Sequence, residues 1–265
     1  MKKPADLLPA VVAIARDAGA AILRIYEQEF SVEKKGDDSP LTAADLAAHR
    51  CIMEALEKLT PEIPRLSEEG AAIPFAERSR WPRYWLIDPL DGTREFIKRN
   101  GEFTVNIALI EDGRPTLGVV HTPVLGRTYY AAVGAGAWQQ AQGKQPEAIH
   151  CTKTAAIPRI VASRSHVTAE LEALLSRLPQ HEAMNTGSSL KFCLVAEGKA
   201  DFYPRLGPTS EWDTAAGQCV VEQAGGSVTL TDGEPLRYNT KDSLLNPSFL
   251  VQGEPAFPWR QYLPT

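Results

Sequence analysis

The sequence predicts an α/β protein of two packed halves with a cleft between them, on three observations. Apolar residues recur at helical spacing early in the chain, extended apolar runs separated by hairpin turns follow, and beyond about residue 155 strands alternate with helices. The expected division is residues 1–155, an α+β half with an antiparallel sheet, and residues 156–265, an α/β half.

Taken in order, Leu8, Val11, Val12, Ala15, Ala18, Ile22, Ile25 and Tyr26 fall on one stripe of a first amphipathic helix. Lys2 and Lys3 before the apolar run 7–15 imitate a cleaved leader. The helical pattern continues well past Ala13-Ile14-Ala15, so a helix is the better reading. A second helix is expected over residues 41–59, where Thr42-Ala43-Ala44-Asp45 reads as a capping box. A loop with Pro61 and Pro64 leads to Ser67-Glu68-Glu69-Gly70. Tyr84-Trp85-Leu86-Ile87 reads as a buried strand, and residues 105–110, 115–120 and 128–133 as strands joined through Glu111-Asp112-Gly113 and Leu125-Gly126. In the second half, strands at 160–162, 200–203 and 226–230 alternate with helices at 167–178, 190–197 and 214–224.

A net charge of -5 leaves no excess of Lys and Arg with which to coat nucleic acid, so any phosphate recognition must be local. Cys51, Cys151, Cys193 and Cys219 are scattered singly and form neither a disulfide framework nor a zinc cluster. They suit a reducing cytoplasm, and no run reaches the ~20 apolar residues of a membrane span. Attachment to the inner face of the cell membrane is the second placement considered. No protein partner is evident.

The chemistry concentrates in Asp88-Pro89-Leu90-Asp91-Gly92-Thr93. A buried strand ending in two carboxylates is unfavourable unless a cation sits there. Asp88, Asp91 and the Leu90 carbonyl offer oxygen only, which points to a hard cation, Mg²⁺ before Ca²⁺. Alone, the pair also reads as an acidic turn capping a helix at Asp91, Asp213 as a helix cap, and Glu68 as a solvated loop residue. Spacing cannot bring these residues together.

Asp88-Pro89-Leu90-Asp91-Gly92-Thr93 and Trp212-Asp213-Thr214-Ala215-Ala216-Gly217 together resemble the paired motifs of the inositol monophosphatase superfamily, over essentially the whole chain. The segment 91–106 and the run Gly187-Ser188-Ser189-Leu190-Lys191 are more similar to its bacterial 3′(2′),5′-bisphosphate nucleotidases. The resemblance implies a layered αβαβα sandwich and two or three Mg²⁺ ions held by Glu68, Asp88, Asp91, Asp213 and the Leu90 carbonyl. It implies that Asp45 and Thr93, with Glu68, act on the attacking water, and that Gly92 and Thr93 amides and Asp213 meet the reacting phosphate. A second phosphate would fall to Lys191 and Arg205 with Ser188, and His166 would line the nucleotide pocket. Glu69, next to Glu68, is expected to be a bystander.

The implied substrate is adenosine 3′,5′-bisphosphate, hydrolysed to AMP and phosphate within sulfur metabolism, with lithium as an inhibitor. Phosphomonoester hydrolysis without a covalent nucleophile needs more than acid–base help of about 10²–10⁴, and metal ions supply it. An inositol or sugar phosphate as substrate, and a nucleotide sensor without turnover, are the alternatives.

Overall fold

Two helices open the chain, α1 (Pro4–Tyr26) and α2 (Pro40–Leu59). The computed structural model describes residues 2–28, 40–70, 72–163, 168–178, 180–254 and 257–263. Pro4 occupies the first turn of α1, where its missing N–H leaves no helical bond unmade. Val11, Ala15, Ala18 and Ile22 form the fully buried stripe facing Ala44, Ala48, Ile52 and Leu56 of α2. Because α2 starts at Pro40, Thr42 is already helical and Asp45 stands in the second turn, so the expected capping box does not describe Asp45.

A seven-stranded sheet comes next, in simple sequence order: β1 (Arg65–Ser67), β2 (Arg83–Asp91), β3 (Thr104–Glu111), β4 (Arg114–Thr122), β5 (Arg127–Ala132), β6 (Gly136–Ala141) and β7 (Glu147–Ala148). All neighbours are antiparallel except β1, which lies parallel to β2. Two short helices interrupt it, α3 (Phe75–Arg78) before β2 and α4 (Thr93–Ile97) directly after it. The second sheet is mixed, in the order β11-β12-β10-β8-β9. Its members are β8 (Arg159–Ser163), β9 (Glu182–Thr186), β10 (Phe202–Arg205), β11 (Ser227–Leu230) and β12 (Phe249–Gln252). Between them come α5 (Ala169–Arg177), α6 (Leu190–Ala196) and α7 (Glu211–Gln223), and a 3-10 turn at Trp259–Tyr262 closes the chain.

Alternation along the strands sorts these elements into five layers. Trp85, Ile87, Ile107 and Val119 face α1 and α2. Leu86, Ala108, Val120 and Ala131 face the opposite way, onto α6 and α7, whose far side meets Val161, Tyr203, Val228 and Val251 of the second sheet. The outer face of that sheet, through Ile160, Phe202 and Leu250, is covered by Leu174 of α5 and by Trp259, which stacks on Phe202 at 4.2 Å between ring centroids. The αβαβα sandwich implied by the resemblance is therefore the observed architecture.

Helix α7 carries Asp213 in its first turn, so its seating on the sheet positions that carboxylate. It lies in a trough where Ala108, Gly118 and Ala131 stand directly opposite one another on β3, β4 and β5. A Cβ on Gly118 would come within 2.4 Å of the Ala216 carbonyl oxygen and 2.8 Å of Cys219 Cβ. At its start, Glu211 accepts the Asn239 backbone N–H at 2.9 Å, and buried Arg78 of α3 donates to the Asn239 side-chain oxygen at 2.5 Å. Among the described residues, no helix is long and apolar enough to cross a membrane.

Because the obstacle at Gly118 is backbone rather than a side chain that can turn away, Gly118→Ala should lift α7 from the sheet. The expected loss is about 1–3 kcal/mol of folding stability, the range typical of overpacking, readable as a lower urea midpoint at unchanged slope. An unchanged midpoint would show that α7 is not seated as described.

Candidate active site

Strand β2 ends in the residues singled out by the sequence, and its register explains how two carboxylates three positions apart can share a site. Side chains at positions 88 and 91 of a regular strand point to opposite faces. Here Asp88 pairs with Asn106 and Asp91 with Thr104, so Pro89 and Leu90 together oppose one residue of β3. This bulge resets the alternation and brings both carboxylates to the α6–α7 side. Pro89 has no N–H to offer a ladder, and the Leu90 N–H turns back to Asp88 Oδ1 at 3.0 Å. Gly92 then takes φ +103°, and a Cβ there would lie 3.2 Å from Phe103 Cα and from Ser188 Cβ. Gly92, and not Asp91, is the N-cap of α4, which removes the capping reading of Asp91.

Asp91 is held instead by a clasp that no sequence motif announced. Its Oδ2 accepts the Ser189 N–H at 2.7 Å and the Ser189 hydroxyl at 2.9 Å, with longer contacts from Asn106 Nδ2 and Thr104 Oγ1, both at 3.4 Å. Ser189 Oγ also lies 2.6 Å from the Asp213 carbonyl oxygen, and Asn106 Nδ2 donates to it at 2.9 Å. One serine thus joins the end of β2 to the start of α7.

Glu68 arrives by β1, a strand hidden in what read as a loop. The Glu68 N–H donates to the Ile87 carbonyl at 3.2 Å, continuing the parallel pairing and fixing Glu68 beside Asp88. Asp213 occupies the third position of α7, where Oδ2 accepts the Ser210 N–H at 2.9 Å in a capping box. The cap uses one oxygen and leaves the other. Ligand atoms of Glu68, Asp88 and Asp213 all lie within 4.8 Å of one another, with Asp91 beside this trio. All donors are hard oxygens, the set that suits Mg²⁺.

The electrostatics say the same. Burial, then the charges of Asp91 and Glu68, hold the Asp88 carboxyl well above the usual carboxylate range. Asp213 is pushed up to about 7 by burial and by Asp91, and burial raises Glu68 and Asp91 as well. Lys191 is the principal cation acting on Asp91, and burial lowers its own value to about 8. Lys191 and the Arg205 guanidinium, which acts on Asp213, are two cations against four carboxylates. Asp45, on α2, is raised to about 8 by burial and by the nearby charges of Glu69 and Glu68. Its Oδ1 is buried without a partner. Glu69 thus stands close to Asp45, because the turn after β1 folds it back towards α2. No hydrogen bond links Asp45 to Thr93, which is exposed on the wall of the cleft.

The cleft has a volume of about 340 Å³ and runs from Glu68, Asp88, Asp91 and Asp213 past Gly92 and Thr93 to Ser188, Lys191 and Arg205. Lys191 Nζ donates to the Ser188 carbonyl at 2.6 Å and sits 5.4 Å from the centre of the Tyr203 ring. Arg205 Nη2 donates to the Pro208 carbonyl at 2.6 Å, while its Nε is buried with no partner. Ser188 gives its hydroxyl proton to the Glu102 carbonyl at 2.9 Å and, as placed, has none to donate into the cleft. Tyr203 and the buried carboxylate Glu95 line the cleft too, and nothing in their sequence context announced it. His166 lies outside the described residues.

A profile described as "Inositol monophosphatase family" matches residues 3–256. The chain is 53% identical over 247 residues to the 3'(2'),5'-bisphosphate nucleotidase CysQ of Salmonella typhimurium, covering 92% of this chain and 99% of that one. It is 51% identical to the CysQ of Escherichia coli K12, with the same coverage of both chains. Among solved structures, CysQ from Bacteroides thetaiotaomicron superposes with a TM-score of 0.85 at 44% identity, over 92% of this chain and 95% of that one.

Carboxyls raised in the folded chain bind protons more tightly there than in the unfolded chain. Without metal, stability should therefore fall as pH climbs from about 4 through the values near 7 and 8 of Asp213 and Asp45. Melting curves in chelator from about pH 4 to pH 9 should show that decline, and added Mg²⁺ should restore more at pH 8 than at pH 5. A flat profile in chelator would contradict it. Ser189→Ala should weaken Mg²⁺ binding about 10- to 100-fold by titration calorimetry, the usual effect of removing a partner of the ligands. Unchanged affinity would reduce the clasp to a packing contact.

Proposed function

The chain belongs to the inositol monophosphatase family, and from that membership we propose that it is a magnesium-dependent phosphatase acting on adenosine 3′,5′-bisphosphate. It would release the 3′-phosphate to leave AMP, and would thereby clear a by-product of sulfur metabolism. The observation that carries this reading is the pairing of two charge environments in one cleft. At one end stand Glu68, Asp88 and Asp213 with Asp91; at the other stand a buried lysine and an arginine with an unpartnered buried Nε. A monophosphate needs only the first. A bisphosphate uses both.

Glu68, Asp88, Asp91, Asp213 and the Leu90 carbonyl are the proposed holders of two or three Mg²⁺ ions. Bound there, the ions would supply positive charge that stabilises the developing negative charge of phosphoryl transfer. The chain's own residues do the rest. Asp45, with its unpartnered Oδ1, would accept a proton from the attacking water once bound cations offset the neighbouring carboxylates and leave it ionised, and Thr93 and Glu68 would help to orient that water. The backbone amides of Gly92 and Thr93 donate to oxygens of the 3′-phosphate. Water adds at phosphorus as the bond to the 3′ oxygen breaks, and the departing 3′ oxygen takes a proton from solvent water to leave AMP with a 3′-hydroxyl. The 5′-phosphate rests on Lys191 Nζ and Arg205 Nε, with Ser188 shaping the wall beside them. All four cysteines are free, which accords with a cytoplasmic enzyme.

Steady-state kinetics on a small panel tests this reading. Adenosine 3′,5′-bisphosphate should be hydrolysed far better than 3′-AMP or inositol 1-phosphate, and all activity should vanish in excess chelator or on Asp88→Asn. A charge-assisted contact contributes roughly 1.5–3 kcal/mol, so Lys191→Ala should cost about 10- to 200-fold in kcat/KM for the bisphosphate. Hydrolysis of 3′-AMP should be largely spared. If inositol 1-phosphate is the better substrate of the unaltered enzyme, the nucleotidase reading fails.

A further inference from the structure

Across the seven-stranded sheet from the carboxylates, a second cavity of about 210 Å³ opens between α1 and strands β4, β5 and β6. It lies on the α1 side because His121 comes two residues after Val119 along β4 and shares its face. Ala20 and Leu23 of α1 and Pro123 after β4 make apolar walls, and the polar groups are few. Arg16 Nε donates to Thr128 Oγ1 at 3.1 Å and its Nη2 to Gln140 Oε1 at 2.7 Å, which fixes the guanidinium over the cavity. The Thr128 hydroxyl, 3.0 Å from His121 Nδ1, completes the chain of contacts.

The charge balance here is uneven. Among the described residues no carboxylate pairs with Arg16, and its Nη1 makes no hydrogen bond within the protein. Burial and the nearby Arg16 charge push His121 down to about 4, so the ring is neutral and adds no second charge. A half-buried cation beside apolar walls and without a counterion attracts an anion, and a single guanidinium matches one negative charge. The floor is firm, since a Cβ at Gly19 would come 2.5 Å from His121 Cδ2, so α1 already rests on that ring. At about 30 Å³ per water, the space holds roughly seven waters, enough for a carboxylate on a ring-sized body.

We propose that this cavity binds a small organic monoanion, its carboxylate on Arg16 and its apolar body against Leu23, Ala20 and Pro123. The cavity stands apart from the catalytic cleft and is independent of the phosphatase reading.

Benzoate is the probe, with neutral benzamide as its isostere, on metal-free full-length protein in chelator. Benzoate should bind saturably by calorimetry and raise the melting temperature by about 3 °C at a tenfold excess over Kd, while benzamide should not. Ala20→Phe, which fills the cavity mouth and leaves both Arg16 hydrogen bonds intact, should abolish binding without changing phosphatase activity. Arg16→Met should weaken benzoate at least about 10-fold. Absence of saturable binding, equal binding of benzamide, or full binding by Ala20→Phe would overturn the proposal; the last outcome would place benzoate in the catalytic cleft. Should Arg16→Met fail to fold, Ala20→Phe decides alone.

Discussion

Repulsion among buried carboxylates is the constraint around which this molecule is arranged. Asp88 is almost fully buried, and Asp91, Glu68 and Asp213 all raise its pKa. Such a cluster opposes folding unless something holds the charges in place and something else neutralises them. The holding is done by backbone and neutral donors: the Leu90 N–H on Asp88, the Ser189 N–H and hydroxyl on Asp91, the Ser210 N–H on Asp213. Donors of this kind favour the charged form without filling the space between the carboxylates. The neutralising would fall to a cation from outside, for which the fold keeps a cluster of carboxylates in a chain whose net charge is only -5.

Each architectural choice near the site answers that requirement. The β2 bulge is what allows a DxxD pair to face one way, and Gly92 is what allows the chain to turn against Phe103 and Ser188 immediately afterwards. The parallel strand β1 delivers Glu68 from the sheet edge, a route that an antiparallel hairpin could not offer because the chain must first cross through α3. Helix α7, pressed into a trough of small residues, sets the height of Asp213 over the sheet. Core packing and ligand geometry are here the same contact.

Much of this was legible in the residues, and the illegible parts share a cause. A strand as apolar as Tyr84-Trp85-Leu86-Ile87 running into Asp88 is conspicuous in any sequence, and the long helices and hairpins declared themselves by period and turn residues. Register is a different matter: the bulge at Pro89 and Leu90 depends on which residues of β3 lie opposite, which no local pattern encodes. Strand β1 is only Arg65–Ser67, directly preceded by Pro64, and β9 is the short run Glu182–Thr186, so neither carries an apolar alternation to read. Ser189, Asn106 and Tyr203 were missed because their partners lie 12 to 98 residues away. The capping reading of Asp45 failed for a smaller reason: the helix already begins at Pro40, so Thr42 lies within it rather than before it.

The sequence distance between Glu68 and Asp213 has a kinetic side. The trio is complete only once β1 has paired with β2 and α7 has docked, both contacts that join distant parts of the chain. Contacts of such long range are the slow ones to close. A cation that needs all three carboxylates would bind no early intermediate well, and would act as a latch on the finished molecule. Its presence should slow unfolding far more than it hastens folding, which makes the ion an inspector of completed chains rather than a template for nascent ones.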